Sequence, residues 1–307
     1  MESPHPVLSI VVTIVDGGSY LREFLKSVDR LETPPPMEVI VPYDDSIADI
    51  LEFAGEFPDV TFVELGQITP IYPITSEAGQ HELYDRRRAA GLAAATGEII
   101  ALLEDRGHPR PDWARTVVRL HKETKYNIIG GAINCQEPTQ VLNWAFYVSD
   151  FGRYGLPFET GPVDWVSDVN VSYSRDVLEM TRHLWKERYN EPIVHWFLID
   201  HGEELLLSNE VVVEHTRPPT KLLPLLSERF QWGRLFGYIR TKRLSPTKRL
   251  LFIAASPLIP PRLWLRHLMM QRKKGRLASY LVALPSVIVL TTAWTCGEVW
   301  GYITKSP

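Results

Sequence analysis

Residues 88–105 read RAAGLAAATGEIIALLED, a helical pattern followed directly by a strand pattern. The Ala-rich segment Arg86–Thr96 predicts a helix that is closed by Gly97, and Glu98–Leu103 predicts a buried apolar strand. This strand brings Glu104 and Asp105 side by side to its carboxyl end. Hard divalent cations prefer carboxylate oxygens, so the pair is a candidate metal site. The alternative is that the two acids cap the following helix or stay solvated in a loop.

Strand and helix patterns alternate on both sides of this stretch. Val7–Val15 is a β-branched apolar run, Tyr20–Leu31 has helical spacing, and Met37–Val41 is a second apolar run. Further strands are predicted at Val60–Leu65, Asn127–Ile133, Trp165–Tyr173 and Val211–Glu214. The alternation predicts an α/β fold with a mostly parallel sheet flanked by helices, which binds ligands at the carboxyl ends of its strands. Acidic residues follow the first two strands: Asp16, Asp44 and Asp45.

The composition is that of a folded protein with one large or two medium domains. The chain has 307 residues, of which 23% are charged, and its net charge of -4 gives no sign of nucleic-acid binding. Its two cysteines, Cys135 and Cys296, are far apart in sequence, which argues against a disulfide framework or a zinc module. The N-terminus lacks the pattern of a secretory signal. We therefore expect the soluble part of the chain in the reducing cytosol.

The order of motifs around the acidic pair resembles the family 2 glycosyltransferases. After the helix come the turn Thr96–Glu98, the apolar strand, the Glu-Asp motif and the segment Pro109–Trp113. In that family an Arg/Asn-rich helix, a similar turn, an apolar strand, a D-x-D-like motif and a Pro-x-Pro-x-Trp segment follow in this order. The resemblance extends from Leu8 to about Arg240. It implies a GT-A fold, a nucleotide-sugar donor and a Mg²⁺ or Mn²⁺ ion.

The resemblance also implies which residues hold the donor. The strand Glu38–Val41 leads to the acidic end that contacts the nucleoside in the family, and Gln231–Arg234 is similar to a Gln-x-x-Arg element. The basic run Arg86–Arg88 either approaches the phosphates or stays solvated, as such runs commonly do. Arg106 replaces the last carboxylate of the acidic motif, and its guanidinium can itself pair with phosphate. The candidate donor-binding residues are Asp16, Asp44, Asp45, Arg88, Arg106, Gln231 and Arg234.

Inverting sugar transfer needs a base that takes the proton of the acceptor hydroxyl. By resemblance, Glu191 ahead of Gly202 stands where an acidic pair of the family supplies this base, although Pro192 follows it in place of Asp. Asp168 is the alternative base. The candidate metal ligands are Glu104, Asp105 and His215. The pattern around His215 is equally that of a core or loop histidine.

The C-terminal quarter has a charge pattern of its own. No acidic residue lies between Glu228 and Glu298, while Lys and Arg recur there. Tyr280–Gly297 is uncharged and about long enough to span a bilayer, and Leu250–Leu265, interrupted by prolines, predicts an interfacial or re-entrant helix. The basic residues ahead of the span predict a catalytic domain on the cytoplasmic side. The alternative is that both segments are core helices of a soluble domain.

These features predict two domains and one activity. Residues 1–240 form a GT-A-like glycosyltransferase domain, and residues 241–307 form a membrane-associated segment with a transmembrane helix near 280–302. The predicted enzyme is an inverting, hexosyltransferase-like protein at the cell membrane, which moves a sugar from a nucleotide-diphosphate donor to a saccharide, lipid-linked or cell-envelope acceptor. The alternatives are a catalytically inactive nucleotide-sugar-binding membrane protein on the same scaffold and a membrane-tethered scaffold protein. A Rossmann-type oxidoreductase is disfavoured because residues 16–19 do not form a G-x-G-x-x-G loop.

Overall fold

The computed structural model describes residues 5–47, 50–135 and 140–307. The strands are β1 Leu8–Thr13, β2 Met37–Tyr43, β3 Val60–Glu64, β4 Ile99–Glu104, β5 Gly107–Pro109, β6 Ile128–Cys135, β7 Gly161–Val163, β8 Asn170–Ser174 and β9 Leu205–His215. The helices are α1 Gly18–Asp29, α2 Ile50–Glu56, α3 Glu77–Ala94, α4 Trp113–Glu123, α5 Val141–Asp150, α6 Arg175–Met180, α7 Arg182–Trp185, α8 Glu191–Asp200, α9 Leu222–Thr241, α10 Pro246–Ala255, α11 Ile259–Lys273 and α12 Leu277–Thr304.

The chain divides into two compact units. The first unit comprises Met1–Pro70, Glu82–Asn134 and Leu156–Thr216. The second unit comprises Ile71–His81, Cys135–Gly155 and Arg217–Pro307. The predicted boundary near residue 240 therefore falls inside the second unit, which also takes in two segments from earlier in the chain.

The first unit is built on a mixed sheet with the strand order β3-β2-β1-β4-β8-β6-β9-β5. The predicted α/β fold with helices flanking a central sheet is confirmed, and β3, β2, β1 and β4 pair in parallel. β8 pairs antiparallel with β4 and with β6, and β9 pairs antiparallel with β5 and β7. The parallel pattern thus holds for the N-terminal half of the sheet. Antiparallel neighbours need no crossover helix, so the alternation of helices and strands does not predict them.

Burial on both faces explains the position of β1 and of the helices beside it. Every residue of β1 is buried, as expected for a central parallel strand. α3 lies directly on the sheet, because a Cβ on Gly91 would come within 2.3 Å of Val11 Cγ1 and 2.8 Å of Pro42 Cγ. This close approach brings the preceding turn of α3, with Arg87 and Arg88, to the carboxyl ends of β1 and β2.

The second unit is helical. Its core joins side chains of α5, α9 and α12: Trp144, Ala145, Phe146, Tyr147, Val148, Leu225, Tyr280, Ala283, Val287 and Leu290. α9 and α12 pack with their backbones in contact, since a Cβ on Gly297 would lie 1.9 Å from the Phe230 carbonyl oxygen and one on Gly237 would lie 2.3 Å from that of Glu298. Among the described helices, α12 is the one whose length and apolar composition suffice to cross a membrane.

Candidate active site

Asp105 holds the loop that follows β1. Its Oδ1 accepts a hydrogen bond from the Val15 N–H at 3.1 Å, and its Oδ2 accepts from the N–H groups of Asp16 and Gly17 at 3.1 and 2.7 Å. Gly17 and Gly18 have φ angles of 67° and 51°, a region that residues with a side chain rarely adopt. The carboxylate therefore fixes the turn between β1 and α1 at the edge of the sheet where β4 ends.

Arg106 and Asp16 form a bidentate ion pair at the same edge. Nε of Arg106 donates to Asp16 Oδ2 at 2.6 Å, and Nη2 donates to Oδ1 at 2.8 Å. The two side chains are 16% and 26% exposed, so the pair can be reached by a ligand. Two predicted donor contacts thus lie together, and the guanidinium has the geometry that also binds phosphate.

Asp44 and Arg87 form a buried pair at the end of β2. Nε of Arg87 donates to Asp44 Oδ2 at 2.6 Å, Nη1 donates to the Ile14 carbonyl at 2.9 Å, and Nη2 donates to Ser46 Oγ at 3.0 Å. Burial opposes ionisation of Asp44, but hydrogen bonds from Ser46 and the charge of Arg87 outweigh it and lower the pKa. This edge therefore presents an ionised carboxylate, with the exposed Asp45 beside it.

Arg88 links three carboxylates inside the first unit. Its Nη2 lies 2.8 Å from Glu104 Oε1 and 3.0 Å from Asp168 Oδ2, and its Nη1 lies 3.8 Å from Asp85 Oδ1. The Arg88 side chain is 4% exposed. Arg87 and Arg88 of the basic run are therefore buried and ion-paired. The sequence of the run is equally compatible with a solvated helix face. One guanidinium joins α3, the end of β4 and the segment before β8.

Glu191 and Asp168, the two candidate bases, are adjacent. Glu191 Oε2 accepts a hydrogen bond from the Asp168 N–H at 3.4 Å, and its Oε1 lies 3.6 Å from Nδ1 of His195, one turn along α8. Nε2 of His195 is 2.6 Å from the hydroxyl of Tyr173, which is 2.6 Å from the hydroxyl of Tyr189. The histidine and both tyrosines have no exposed surface. Glu191 thus stands at the end of a buried chain of polar groups.

Burial raises the pKa of three carboxyl groups in this part of the structure, Glu104, Asp105 and Glu191. Burial raises the pKa of Glu104 to about 7, against the charge of Arg88, and raises that of Asp105 to about 6, against its hydrogen bonds from the loop. Burial and the charge of Asp168 raise the pKa of Glu191 well above its ordinary value. Burial lowers the pKa of His195 to about 3, so its imidazole is neutral. Buried carboxylates in excess of cationic partners favour binding of a further cation.

The predicted metal ligands have different surroundings. Both carboxylate oxygens of Asp105 accept hydrogen bonds from N–H groups of the loop. His215, at the end of β9, is 5% exposed and lies opposite Gly107 of the neighbouring strand β5. Within residues 5–47, 50–135 and 140–307, no group of three or more His, Cys, Asp or Glu side chains is arranged to hold a metal ion. Glu104 lies at the end of β4 and has a raised pKa. A single carboxylate fits a cation that is shared with a diphosphate, because Mg²⁺ often takes only one or two carboxylates beside phosphate.

The remaining predicted donor contacts lie in the second unit. Gln231 and Arg234 belong to α9, where Arg234 Nη2 donates to Ser306 Oγ at 2.9 Å. Their contact with a donor stays a prediction.

The sequence does not single out several residues that complete the cluster, Asp85, Tyr173, Tyr189 and His195, and it marks Arg87 only as part of a basic run. His195 carries a local signal, since it follows Glu191 by four residues in a helical pattern and so shares its face. Tyr173 and Arg87 meet their partners only after the sheet has formed, so short-range patterns do not reveal them.

The profile of the family described as Glycosyl transferase family 2 matches residues 9–181. The chain belongs to glycosyl transferase family 2. Two solved structures share the fold of this family 2 enzyme. The mannosyltransferase PcManGT from Pyrobaculum calidifontis, in complex with GDP-Man and Mn2+, is 13% identical, with a TM-score of 0.51 over 98% of this chain and 86% of that chain. S. aureus TarS 1-349, in complex with UDP-GlcNAc, is 12% identical, with a TM-score of 0.52 over 95% and 90%.

A search of curated proteins finds no match to the chain. The family match and the shared GT-A fold confirm the predicted family, fold and glycosyltransferase activity.

Replacing Asp105 tests how this family 2 enzyme holds its β1–α1 turn. We expect Asp105→Asn to raise the donor dissociation constant about tenfold, because an amide offers a single acceptor oxygen and turns its own N–H groups towards those of the loop. The cause is loop geometry, so the loss is expected with Mn²⁺ and with EDTA alike. Isothermal titration with nucleotide sugars measures both. Asp29→Asn, at an exposed carboxyl on α1, is the matched control, and a loss seen only with Mn²⁺ would make Asp105 a metal ligand instead.

Asp85 makes stability depend on pH. Burial raises its pKa to about 7, against the charges of Arg88 and Arg188. A carboxyl whose folded pKa exceeds its unfolded value binds its proton more tightly in the folded state, so the free energy of unfolding falls as pH rises from about 4 to about 7. We expect Asp85→Asn to reduce this fall by on the order of 2 kcal/mol between pH 5 and pH 8, measured by urea unfolding. The exposed-site variant Asp59→Asn is the control, and equal slopes in all three proteins would contradict the assignment.

Proposed function

We propose that this enzyme transfers a hexose, with inversion, from a nucleotide-diphosphate donor to a saccharide or lipid-linked acceptor of the cell envelope. The supporting observation is one connected set of polar groups at the carboxyl ends of β1, β2 and β4, where parallel strands bind ligands. It contains the Asp44–Arg87 pair, the turn held by Asp105 and the guanidinium of Arg88 between Glu104 and Asp168.

The nucleoside half of the donor binds beside β2 in this proposal. Asp44 is ionised there and faces the strand end, which suits hydroxyl or ring N–H donors of a nucleoside. Arg87 orients Asp44 through the bond from Nε and is itself tied to the Ile14 carbonyl. The diphosphate then lies towards Arg106, whose guanidinium is reachable and exchanges part of its contact with Asp16 for phosphate oxygens.

Glu191 is the proposed base. The acceptor oxygen attacks the anomeric carbon, the bond from that carbon to the phosphate oxygen breaks, and the nucleoside diphosphate leaves with the electron pair while Glu191 takes the hydroxyl proton. A raised pKa makes Glu191 a strong base once it is ionised. The Asp168 N–H donates to one of its oxygens, and the neutral His195 lies 3.6 Å from the other. Asp168 is the alternative base.

Mg²⁺ or Mn²⁺ is the proposed cofactor, held by Glu104 together with the donor. When bound, such an ion neutralises charge on the departing diphosphate. The geometry around Arg88 supports this, since one guanidinium contacts the carboxylates of both Glu104 and Asp168. Arg106 supplies part of the same neutralisation from the protein itself.

A membrane-bound acceptor is proposed from the C-terminal segment, residues 241–307. This segment combines exposed apolar side chains with recurring Lys and Arg and includes the helix that is apolar enough for a membrane. Basic residues favour the cytoplasmic leaflet, where nucleotide sugars are available, so we propose the cytoplasmic face of the cell membrane as the working place of the enzyme.

The test is a screen of nucleotide sugars by thermal shift, with Mn²⁺ and with EDTA, followed by an assay for release of nucleoside diphosphate in the presence of membrane lipid extract. We expect one donor to raise the melting temperature and to be turned over. Glu104→Gln is expected to remove the added effect of Mn²⁺ while the metal-free shift remains. Donor binding without turnover in every extract would favour the inactive nucleotide-sugar-binding alternative, and absence of any shift would contradict donor binding.

A further inference from the structure

The part of the second unit from α10 to α12 combines positive charge with exposed apolar surface. Between Pro246, where α10 begins, and Gly297 the chain has eight Lys and Arg residues and no Asp or Glu. No residue of α10 is buried, and Leu250, Leu251 and Leu258 are 63%, 67% and 72% exposed. Exposed leucines in such a group are unfavourable in water and mark a surface that contacts something else.

α12 continues this surface. One face of the helix packs in the core of the second unit, and the opposite face exposes uncharged side chains along its length: Leu281, Val282, Pro285, Val289, Trp300 and Ile303. Its single charged residue, Glu298, is buried and binds Arg240 of α9 at 2.7 Å. With 28 residues the helix presents an uncharged face about 42 Å long. α10 packs beside its C-terminal end, where the rings of Phe252 and Tyr302 lie 6.2 Å apart.

The packing of α12 argues against an orientation across the membrane. α9 lies against its C-terminal half through the glycines of both helices and carries Arg229, Arg234 and Arg240. A spanning α12 would therefore take these arginines into the depth of the bilayer together with the carboxylates paired with Arg229 and Arg240, and ionisable groups are costly there. Its N-terminal half packs on α5, which has 10 residues and is too short to span a bilayer.

We propose that the second unit lies on the surface of an anionic phospholipid bilayer, with α12 along the membrane plane and its uncharged face, together with the exposed leucines of α10 and the following turn, among the acyl chains. Lys and Arg residues beside these side chains, such as Arg249 and Arg262, then meet anionic headgroups. This arrangement builds on the membrane contact proposed above and specifies its mode and its lipid.

Vesicle sedimentation of the full chain tests the lipid contact. We expect binding to vesicles of phosphatidylcholine with phosphatidylglycerol, and weaker binding to phosphatidylcholine alone. Leu250→Glu with Leu251→Glu is expected to reduce the partition coefficient at least tenfold. The matched control is Met180→Glu with Ile199→Glu, exposed apolar positions of the first unit, which should bind like the unmodified protein. Equal binding of all three proteins, or binding by none, would overturn the proposal, and thermal shift with donor on the same samples reports the transferase separately.

Cysteine labelling tests the orientation of α12 in membranes of an expressing cell. In a background with Cys135→Ser and Cys296→Ser, a new cysteine is introduced either at Glu159→Cys in the first unit or at Thr304→Cys at the end of α12. An impermeant maleimide is then applied to vesicles with the cytoplasmic face outwards and to intact cells stripped of their wall. Labelling of both positions from one side supports the in-plane arrangement. Labelling of the two positions from opposite sides means that α12 spans the membrane, and recovery of both proteins in the soluble fraction means that no membrane contact exists.

Discussion

Glu191→Gln is expected to lower kcat by a hundredfold or more while the donor dissociation constant stays nearly unchanged. The amide keeps the size of the side chain and an oxygen for the Asp168 N–H, but it cannot take the proton of the acceptor hydroxyl. Glu191 contacts Asp168 and His195, whereas Asp44 contacts Arg87 and Ser46, so loss of the base is expected to leave the proposed nucleoside contact in place. Initial rates at saturating donor, with isothermal titration of the same donor, separate the two quantities.

Two further variants make this result specific. Glu187→Gln changes an exposed acid a few residues away and should keep full activity. Asp168→Asn should keep more activity than Glu191→Gln, because its carboxylate is occupied by Arg88 while its backbone N–H still orients Glu191. The opposite order of the two rates would make Asp168 the base and Glu191 its buried partner.

Arg88→Met is expected to lower the free energy of unfolding by about 3–5 kcal/mol, since it leaves buried carboxylates without their partner. The Arg88 side chain is 4% exposed and bridges Glu104 and Asp168, whose side chains are 14% and 20% exposed. Loss of the Arg88 charge is also expected to raise the pKa of Glu104 further, so that protonation of Glu104 offsets part of the loss near neutral pH and donor binding weakens. Urea unfolding as a function of pH separates the two effects, because the loss of stability should grow as the pH rises and Glu104 ionises.

Arg119 offers a matched control at the surface. It also binds two carboxylates, Glu123 at 3.0 Å and Glu210 at 2.6 Å, but all three side chains are at least 41% exposed. Exposed ion pairs contribute little to stability, so Arg119→Met should lower the free energy of unfolding by about 1 kcal/mol or less. Arg88→Lys keeps the positive charge but loses the planar guanidinium group. We therefore expect it to lower the free energy of unfolding by an amount between those of Arg119→Met and Arg88→Met. Equal losses for Arg88→Met and Arg119→Met would show that the Arg88 cluster has no special role in the fold.

The parallel half of the fold follows from local patterns. The apolar runs at β1, β2 and β4 and the helical spacing of α1 are short-range features, and these three strands lie within two residues of their predicted bounds. The strand predicted at Trp165–Tyr173 begins five residues before β8, and the one predicted at Val211–Glu214 covers only the last part of β9. α3 begins at Glu77, well before the predicted helix at Arg86, because its first turns are polar and lack the apolar spacing that marks an amphipathic helix. The antiparallel pairing of β8 depends on where the chain returns to the sheet, which no local pattern contains.

The candidate site depends more on contacts that are distant in sequence. Glu104 and Asp105 are recognisable because they follow an apolar strand, but the role of Asp105 as the acceptor for three N–H groups of the β1–α1 turn requires residues about 90 positions away. The burial of Arg88 follows from the close contact of Gly91 with Val11, which a run of three arginines does not suggest. The predicted roles of these residues in binding and catalysis stay predictions.

The anomeric configuration of the transferred sugar tests the central claim most directly. A single displacement by the acceptor oxygen, with Glu191 as base and no covalent intermediate with the protein, inverts the configuration at the anomeric carbon. Proton NMR of the product, through the coupling constant of the anomeric proton, reads this outcome when the enzyme is supplied with an α-linked nucleotide sugar and its acceptor. The proposed mechanism predicts a β-linked product. An α-linked product would contradict it and would require a different use of the Glu191–Asp168 pair.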